Sequence, residues 1–250
     1  MTMKRQKISA FIITLLMLSA CSDDTMRLGT ADADRTPDEL RINAEIDQVN
    51  ITRADDSGFA DGDVIGVYAV DFENGQQGQL QQSGNNSDNV SFTFDEQSYR
   101  WLGSKTIKFS DDRTPMDLYG YYPYTKEISD VNRYPIFVEA KQTGDSKSRK
   151  MSAYEASDFL WAKSSGLTAA NPNVTLYFKH LLASVRVTLT EGDGFENGEW
   201  NGLDKFVTVN NTARNAYVDL STGEVTCTGE KDGTNTVSYT HLRAHETLSD

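Results

Sequence analysis

The sequence predicts an all-β protein of sandwich architecture. Three observations carry this. Short runs rich in β-branched and aromatic residues recur along the chain. Gly, Asn and Asp clusters separate them. Helical periodicity is almost absent beyond an N-terminal apolar run. The 250 residues allow one large sandwich or two modest ones.

The expected strands, in order, are Arg41–Thr52, Asp63–Phe72, Val90–Phe94, Tyr99–Leu102, Asp117–Tyr122, Pro135–Ala140, Phe159–Ala162, Val174–Lys179 and Ser184–Thr190. Lys205–Val209, Ala216–Leu220 and Glu224–Thr228 complete the set. Turn signals bound them at Asp61-Gly62, Glu73-Asn74-Gly75, Ser83-Gly84-Asn85 and Thr222-Gly223. Gly75–Asn89, rich in Gln, Gly, Asn and Ser, reads as a long exposed hairpin loop. Lys141–Lys150 reads as a second polar loop with a local basic cluster at Lys147, Arg149 and Lys150.

The N-terminus has a different character. Lys4, Arg5 and Lys7 precede an apolar run, Ile8–Leu18, which is too short to span a bilayer. Leu18-Ser-Ala-Cys21 follows and resembles the lipobox of a bacterial lipoprotein signal. The expectation is a signal peptide over 1–20, thioether lipidation of the Cys21 sulfur, and cleavage before it. Residues 21–40 then read as a flexible tether, polar and rich in Asp and Thr up to Pro37. Ser22-Asp-Asp24 resembles a surface-export pattern, and Asp24-Thr-Met26 a short O-glycosylation acceptor.

Charge narrows the partners. The formal net charge is -13, and loss of three signal-peptide cations brings it to about -16. Nucleic acid is an unsuitable partner, because phosphates need a basic face. Anionic lipid would repel such a chain, so membrane attachment has to come from the lipid on Cys21. With Cys21 lipidated, Cys227 is the one remaining cysteine; an intramolecular disulfide and a thiolate metal cluster are both excluded. Its strand-like setting predicts a packed small hydrophobe.

The last residues read as foreign. Val237-Ser-Tyr-Thr-His-Leu-Arg-Ala-His-Glu-Thr247 resembles the translation of a transposase-type sequencing adapter. The expectation is a non-native tail over 236–250, with native sequence ending near Asn235. His241 and His245 stand at i and i+4, a zinc-like spacing, but they belong to this tail and are set aside.

No catalytic motif emerges elsewhere, and no cofactor or metal is expected. His180, among Phe178, Leu181 and Leu182, reads as a structural hydrogen-bonding group. Glu196 and Glu199 beside Trp200 lie in an acidic loop rather than a paired-carboxylate site. Asp55, Asp56, Asp61 and Asp63 lack the alternation of a calcium loop. Leu118-Tyr-Gly-Tyr-Tyr-Pro-Tyr124 is aromatic-dense and reads as core, with sugar stacking as the competing role.

Five blocks in order carry a family resemblance: Ile51-Thr-Arg-Ala54, Phe59-Ala-Asp-Gly-Asp-Val-Ile-Gly-Val-Tyr68, Asp117-Leu-Tyr-Gly-Tyr-Tyr-Pro-Tyr124, Asp158-Phe-Leu-Trp-Ala162 and Val174–Val187. Behind a lipobox, they resemble the fimbrillin family of Bacteroides-type bacteria over roughly Arg41 to Asn235. The resemblance implies two transthyretin-like, Greek-key β-sandwich domains in tandem. The first would span 41–180 and a truncated second 181–235, with the boundary near Lys179–Ser184. It also implies a non-enzymatic structural or adhesive subunit, or anchor, of a cell-surface pilus. Subunits of such pili associate with other fimbrial subunits by strand exchange, and host or bacterial surfaces supply ligands. Arg53, just after the first strand, matches the position at which some members are cut to open the exchange groove. The competing reading is a surface glycan-binding lipoprotein of a polysaccharide-uptake system, using Tyr119–Tyr124 and Trp200.

Overall fold

The computed structural model describes residues 38–47, 58–142, 151–185, 187–196, 199–205, 207–229 and 236–239. Cys21, Arg53, Asp55, Asp56, His241 and His245 lie outside them. So do the basic cluster at Lys147–Lys150 and the tether. Among the described residues, no helix is long and apolar enough to cross a membrane.

A seven-stranded sheet dominates. Its strands are β1 (Arg41–Ile46), β2 (Val64–Asp71), β3 (Ser87–Asp95), β4 (Arg100–Gly103), β5 (Met116–Tyr122), β7 (Leu160–Leu167) and β8 (Asn173–His180). Their spatial order is β1-β8-β7-β5-β2-β3-β4. All pairings are antiparallel except β1 with β8, which is parallel. A three-stranded sheet, β11-β10-β6, is built from β6 (Tyr134–Phe137), β10 (Asn215–Asp219) and β11 (Glu224–Thr228). A separate pair joins β9 (Val207–Asn210) to β12 (Thr236–Tyr239). Two one-turn helices, α1 (Ala153–Ala156) and α2 (Glu199–Gly202), are the described α-helices. A capping box at α1, with Ser152 and Glu155 bonding reciprocally, lets so short a helix form.

The large sheet is buried on both faces at its centre, which is why β2 and β5 read as nearly continuous apolar runs. Side chains alternate between two clusters. Ile65, Val67, Ala69, Met116, Leu118 and Tyr122 face the first, with Phe92, Trp101, Leu176 and Phe178. Tyr68, Val70, Tyr119 and Tyr121 face the second, with Tyr134, Ile136, Phe159, Trp161, Val218 and Leu220. The small sheet covers that second cluster. Full burial of each such side chain contributes roughly 1.5–3 kcal/mol.

Two glycines make the close packing feasible. A Cβ on Gly66 would lie 2.2 Å from the Tyr121 ring, and one on Gly120 would lie 2.8 Å from the Phe178 ring. The turn signals read from the sequence hold. Asn74-Gly75 forms a two-residue turn at φ 52° and 77°, closed by reciprocal bonds between Glu73 and Gln76. Gly62, Gly84 and Gly223 also have positive φ.

Some expectations change. Gly75–Asn89 is not uniformly exposed: Leu80 inserts into the second cluster and β3 begins at Ser87. Ser184–Thr190 has apolar alternation but forms no strand among its described residues; Val185, Val187 and Leu189 are exposed. Cys227 is exposed, not packed. It sits opposite Ala216 on β11, the outermost strand of its sheet among the described residues. The 180/181 boundary is crossed by one sheet, because β10 and β11 return to the edge of β6. β12 lies in the segment read as foreign.

Candidate functional site: the seat of the first strand

The chain enters the fold through a clamp. Residues 38–40 run antiparallel to 107–109: Leu40 N–H donates to the Ile107 carbonyl at 2.9 Å, and Phe109 N–H to the Asp38 carbonyl at 3.0 Å. Lys108 Nζ stands 3.6 Å from Asp38 and 3.5 Å from Glu39. These pairs are half-exposed on the lysine side, so they guide more than they stabilise. The chain then switches sides and pairs with β8, from Arg41 opposite Asn173 to Ile46 opposite Phe178. The first strand thus bridges the segment after β4 and the β8 edge, closing the first core cluster.

Its side chains explain the grip. Leu40 and Ala44 are buried in that cluster, while Ile42 and Ile46 pack against it from partly buried positions. Arg41, Asn43 and Glu45 alternate to the other face. Opposite Ala44 stands Leu176, fully buried. The strand is an edge held by parallel pairing, the slightly weaker ladder type. After residues 48–57 the chain reappears with Phe59 as a second plug. Its ring meets Trp101, Tyr122 and Phe178 edge-on, with centroids 4.9, 5.6 and 5.5 Å away. Such contacts favour a fixed entry geometry. Arg53, in the interval between these two anchors, is outside the described residues.

The remaining candidates resolve into structural roles. Asp63 accepts from Ala60 N–H at 2.8 Å and from the Tyr122 hydroxyl at 3.0 Å. Burial raises its pKa above the ordinary aspartate value, against the opposing effect of these bonds. Asp61 accepts from Glu96 N–H. No metal-holding group of three or more His, Cys, Asp or Glu occurs among the described residues. His180 Nδ1 lies 2.9 Å from Asp158, tying the end of β8 to the start of β7. Glu196 and Glu199 are exposed and bond locally. Trp200 is half-buried, with Phe195 against it and Lys205 Nζ 4.6 Å above its ring. Tyr119, Tyr121 and Tyr122 are buried, so they offer no stacking face for sugars.

Sequence reasoning missed one buried charge. Asp117 is fully buried in β5; it accepts from Gly166 N–H at 2.9 Å, and Lys163 Nζ lies 3.7 Å away over the Tyr119 ring. A carboxylate inside an otherwise apolar run was the available signal. It joins β5 to β7.

The fold is a seven-stranded β-sheet whose first strand packs along one edge over an apolar cluster. The fimbrillin-like family model matches residues 52–248, and the chain belongs to that family. The match runs through the adapter-like segment. A protein of Bacteroides uniformis named "Putative fimbrium subunit Fim1C" is 26% identical over 223 residues, covering 88% of this chain and 67% of its own length. One of Bacteroides ovatus, named "Putative fimbrium tip subunit Fim1C", is 30% identical over 151 residues, covering 55% of this chain. The chain spans only 26% of that relative's length. A solved structure of a "putative cell adhesion protein" from Bacteroides ovatus aligns with a TM-score of 0.57 at 17% identity. That alignment covers 85% of this chain and 75% of that one, and it supports the fold.

Proposed function

We propose that this chain is a structural, adhesive subunit of a cell-surface fimbrium, assembled by exchange of its first strand. The carrying observation is the seat of β1. A single edge strand covers an apolar groove lined by Val174, Leu176 and Phe178, held by parallel pairing with β8 and by the clamp at 107–109. Removing it would uncover that groove, and a strand from another subunit could fill it by β-augmentation. Family membership and the fimbrium names of the relatives support the same reading.

Arg53 is the proposed processing position. A cut there would separate β1 and everything before it from β2, leaving the clamp at 107–109 and the β8 edge unoccupied. Cys21 is the proposed lipidation site. It brings the chain to the outer membrane and is lost on processing. The partners are other fimbrial subunits, and the role is structural, not catalytic. The test is assembly of the native chain beside Arg53→Ala in the producing bacterium. The variant is expected to reach the surface and stay out of fibres. Incorporation at the native level would contradict the proposal.

A further inference from the structure

The stretch after β8 carries an apolar alternation that nothing covers among the described residues. Val185, Val187 and Leu189 are 64%, 42% and 38% exposed, and the stretch pairs with no other described segment. Covering them would remove apolar surface from water, so a driving force for association is left unused. Just upstream, Leu181 and Leu182 pack against the second cluster, and Leu181 N–H donates to the Phe159 carbonyl at 2.9 Å. Downstream come Gly192 and Gly194, with open space where a Cβ would stand at either. The next strand starts at Val207. Loosely packed between these two anchors, the stretch can extend away from the body as a loop.

The first strand shows what such a stretch fits. Leu40, Ile42, Ala44 and Ile46 face the first cluster and alternate with Arg41, Asn43 and Glu45. Ser184–Thr190 has the same period, with Val185, Val187 and Leu189 set between Ser184, Thr188 and Thr190. It is also long enough, since the ladder of β1 with β8 uses Arg41–Ile46. Shape selects the register. With Val187 at the Ala44 position, Val185 stands for Ile42 and Leu189 for Ile46. A shift of two residues would press Leu189 into the Ala44 position, against fully buried Leu176. The edge of β11 has no comparable trough, because Glu224, Thr226 and Cys227 are exposed there.

We infer that Ser184–Thr190 is the donor strand: in the fibre it lies in the β1 seat of a second copy, parallel to that copy's β8, with Val185, Val187 and Leu189 on its first core cluster. The inference rests on the proposed strand exchange and names the segment that fills the vacated groove. Both copies gain from it. The donor's exposed apolar side chains are covered, and so are Val174, Leu176 and Phe178 of the acceptor. While β1 occupies the seat the stretch has no groove to enter, and unprocessed copies stay apart.

The test uses the native chain in the producing bacterium. Photo-reactive benzoylphenylalanine replaces Thr175, the β8 residue opposite Asn43, and assembled fibres are irradiated. The expected product is a covalent dimer on denaturing gels, in which peptide mass spectrometry finds Thr175's position joined to residues 184–190. Capture of residues 41–46 within one chain would mean that β1 never left, and would defeat strand exchange and this inference together. Capture of any other segment, from this chain or from another protein, keeps strand exchange and overturns the donor assignment. Val187→Asp should lower the fibre-incorporated subunit about tenfold or more, since a carboxylate cannot enter the apolar groove unpaired. Its amount at the cell surface and its thermal midpoint should be unchanged, because Val187 is exposed within its own subunit. Val187→Ile should assemble as the native chain does. Native-level assembly of Val187→Asp overturns the inference.

Discussion

Gly66 and Gly120 show how the core constrains single positions. Each sits where an aromatic ring crosses a neighbouring strand, and neither ring can retreat easily. The Tyr121 hydroxyl is tied to Asn89 and the Thr125 carbonyl, and Phe178 is fully buried. Gly120→Val should destabilise the fold by about 1–3 kcal/mol through overpacking, read as a shifted denaturant midpoint. Asp63 makes a different prediction. Its folded pKa is raised, so the ionised form costs stability above that pKa, and the cost fades as pH falls through it. The thermal midpoint of Asp63→Asn minus that of the native chain should therefore be larger at pH 7 than at pH 4. A difference that stays constant or reverses would show that Asp63 is not desolvated.

Elements differed in how plainly the sequence announced them. Strands β2, β5 and β8 were legible from their apolar, β-branched and aromatic runs. Positive φ at Gly62, Asn74-Gly75, Gly84 and Gly223 marks the turns that flank β2, precede β3 and join β10 to β11. Ser184–Thr190 misled, since alternation marks a residue pattern and pairing needs a partner. The β10–β11 hairpin gives a test at this scale. Gly223 adopts φ 74°, and a Cβ there would lie 2.6 Å from the Trp161 ring, whose Nε1 donates to the Leu220 carbonyl at 2.8 Å. Gly223→Ala should cost about 1–3 kcal/mol, from backbone strain and the clash together. Hydrogen exchange should speed up most in residues 215–228 and in β6, which that hairpin covers.

At the scale of the molecule, the proposed function makes one device of the first strand, the sheet it completes and the interval holding Arg53. Leu40 and Ala44 of the first strand and its approach lie buried in the apolar cluster that the sheet covers, and Arg53 lies in the sequence between β1 and Phe59. Fold class and family were readable from five sequence blocks in order. The sealing role of β1 was not, because parallel pairing with a strand some 130 residues later is a long-range event no local pattern records. A chain shortened to begin at Ala54 should lose the Leu40 and Ala44 contacts and expose the groove. It should self-associate at concentrations where the native chain stays monomeric, as sedimentation velocity would report. Adding a peptide of residues 38–47 should return it to monomer.

The most direct measurement is the N-terminus of the subunit inside the fibre. Fibres purified from the producing bacterium, dissociated and analysed by intact mass and N-terminal sequencing, should yield a chain that starts at Ala54 and carries no lipid. A fibre-incorporated chain that still starts at Cys21 with its acyl groups, β1 included, would contradict the account.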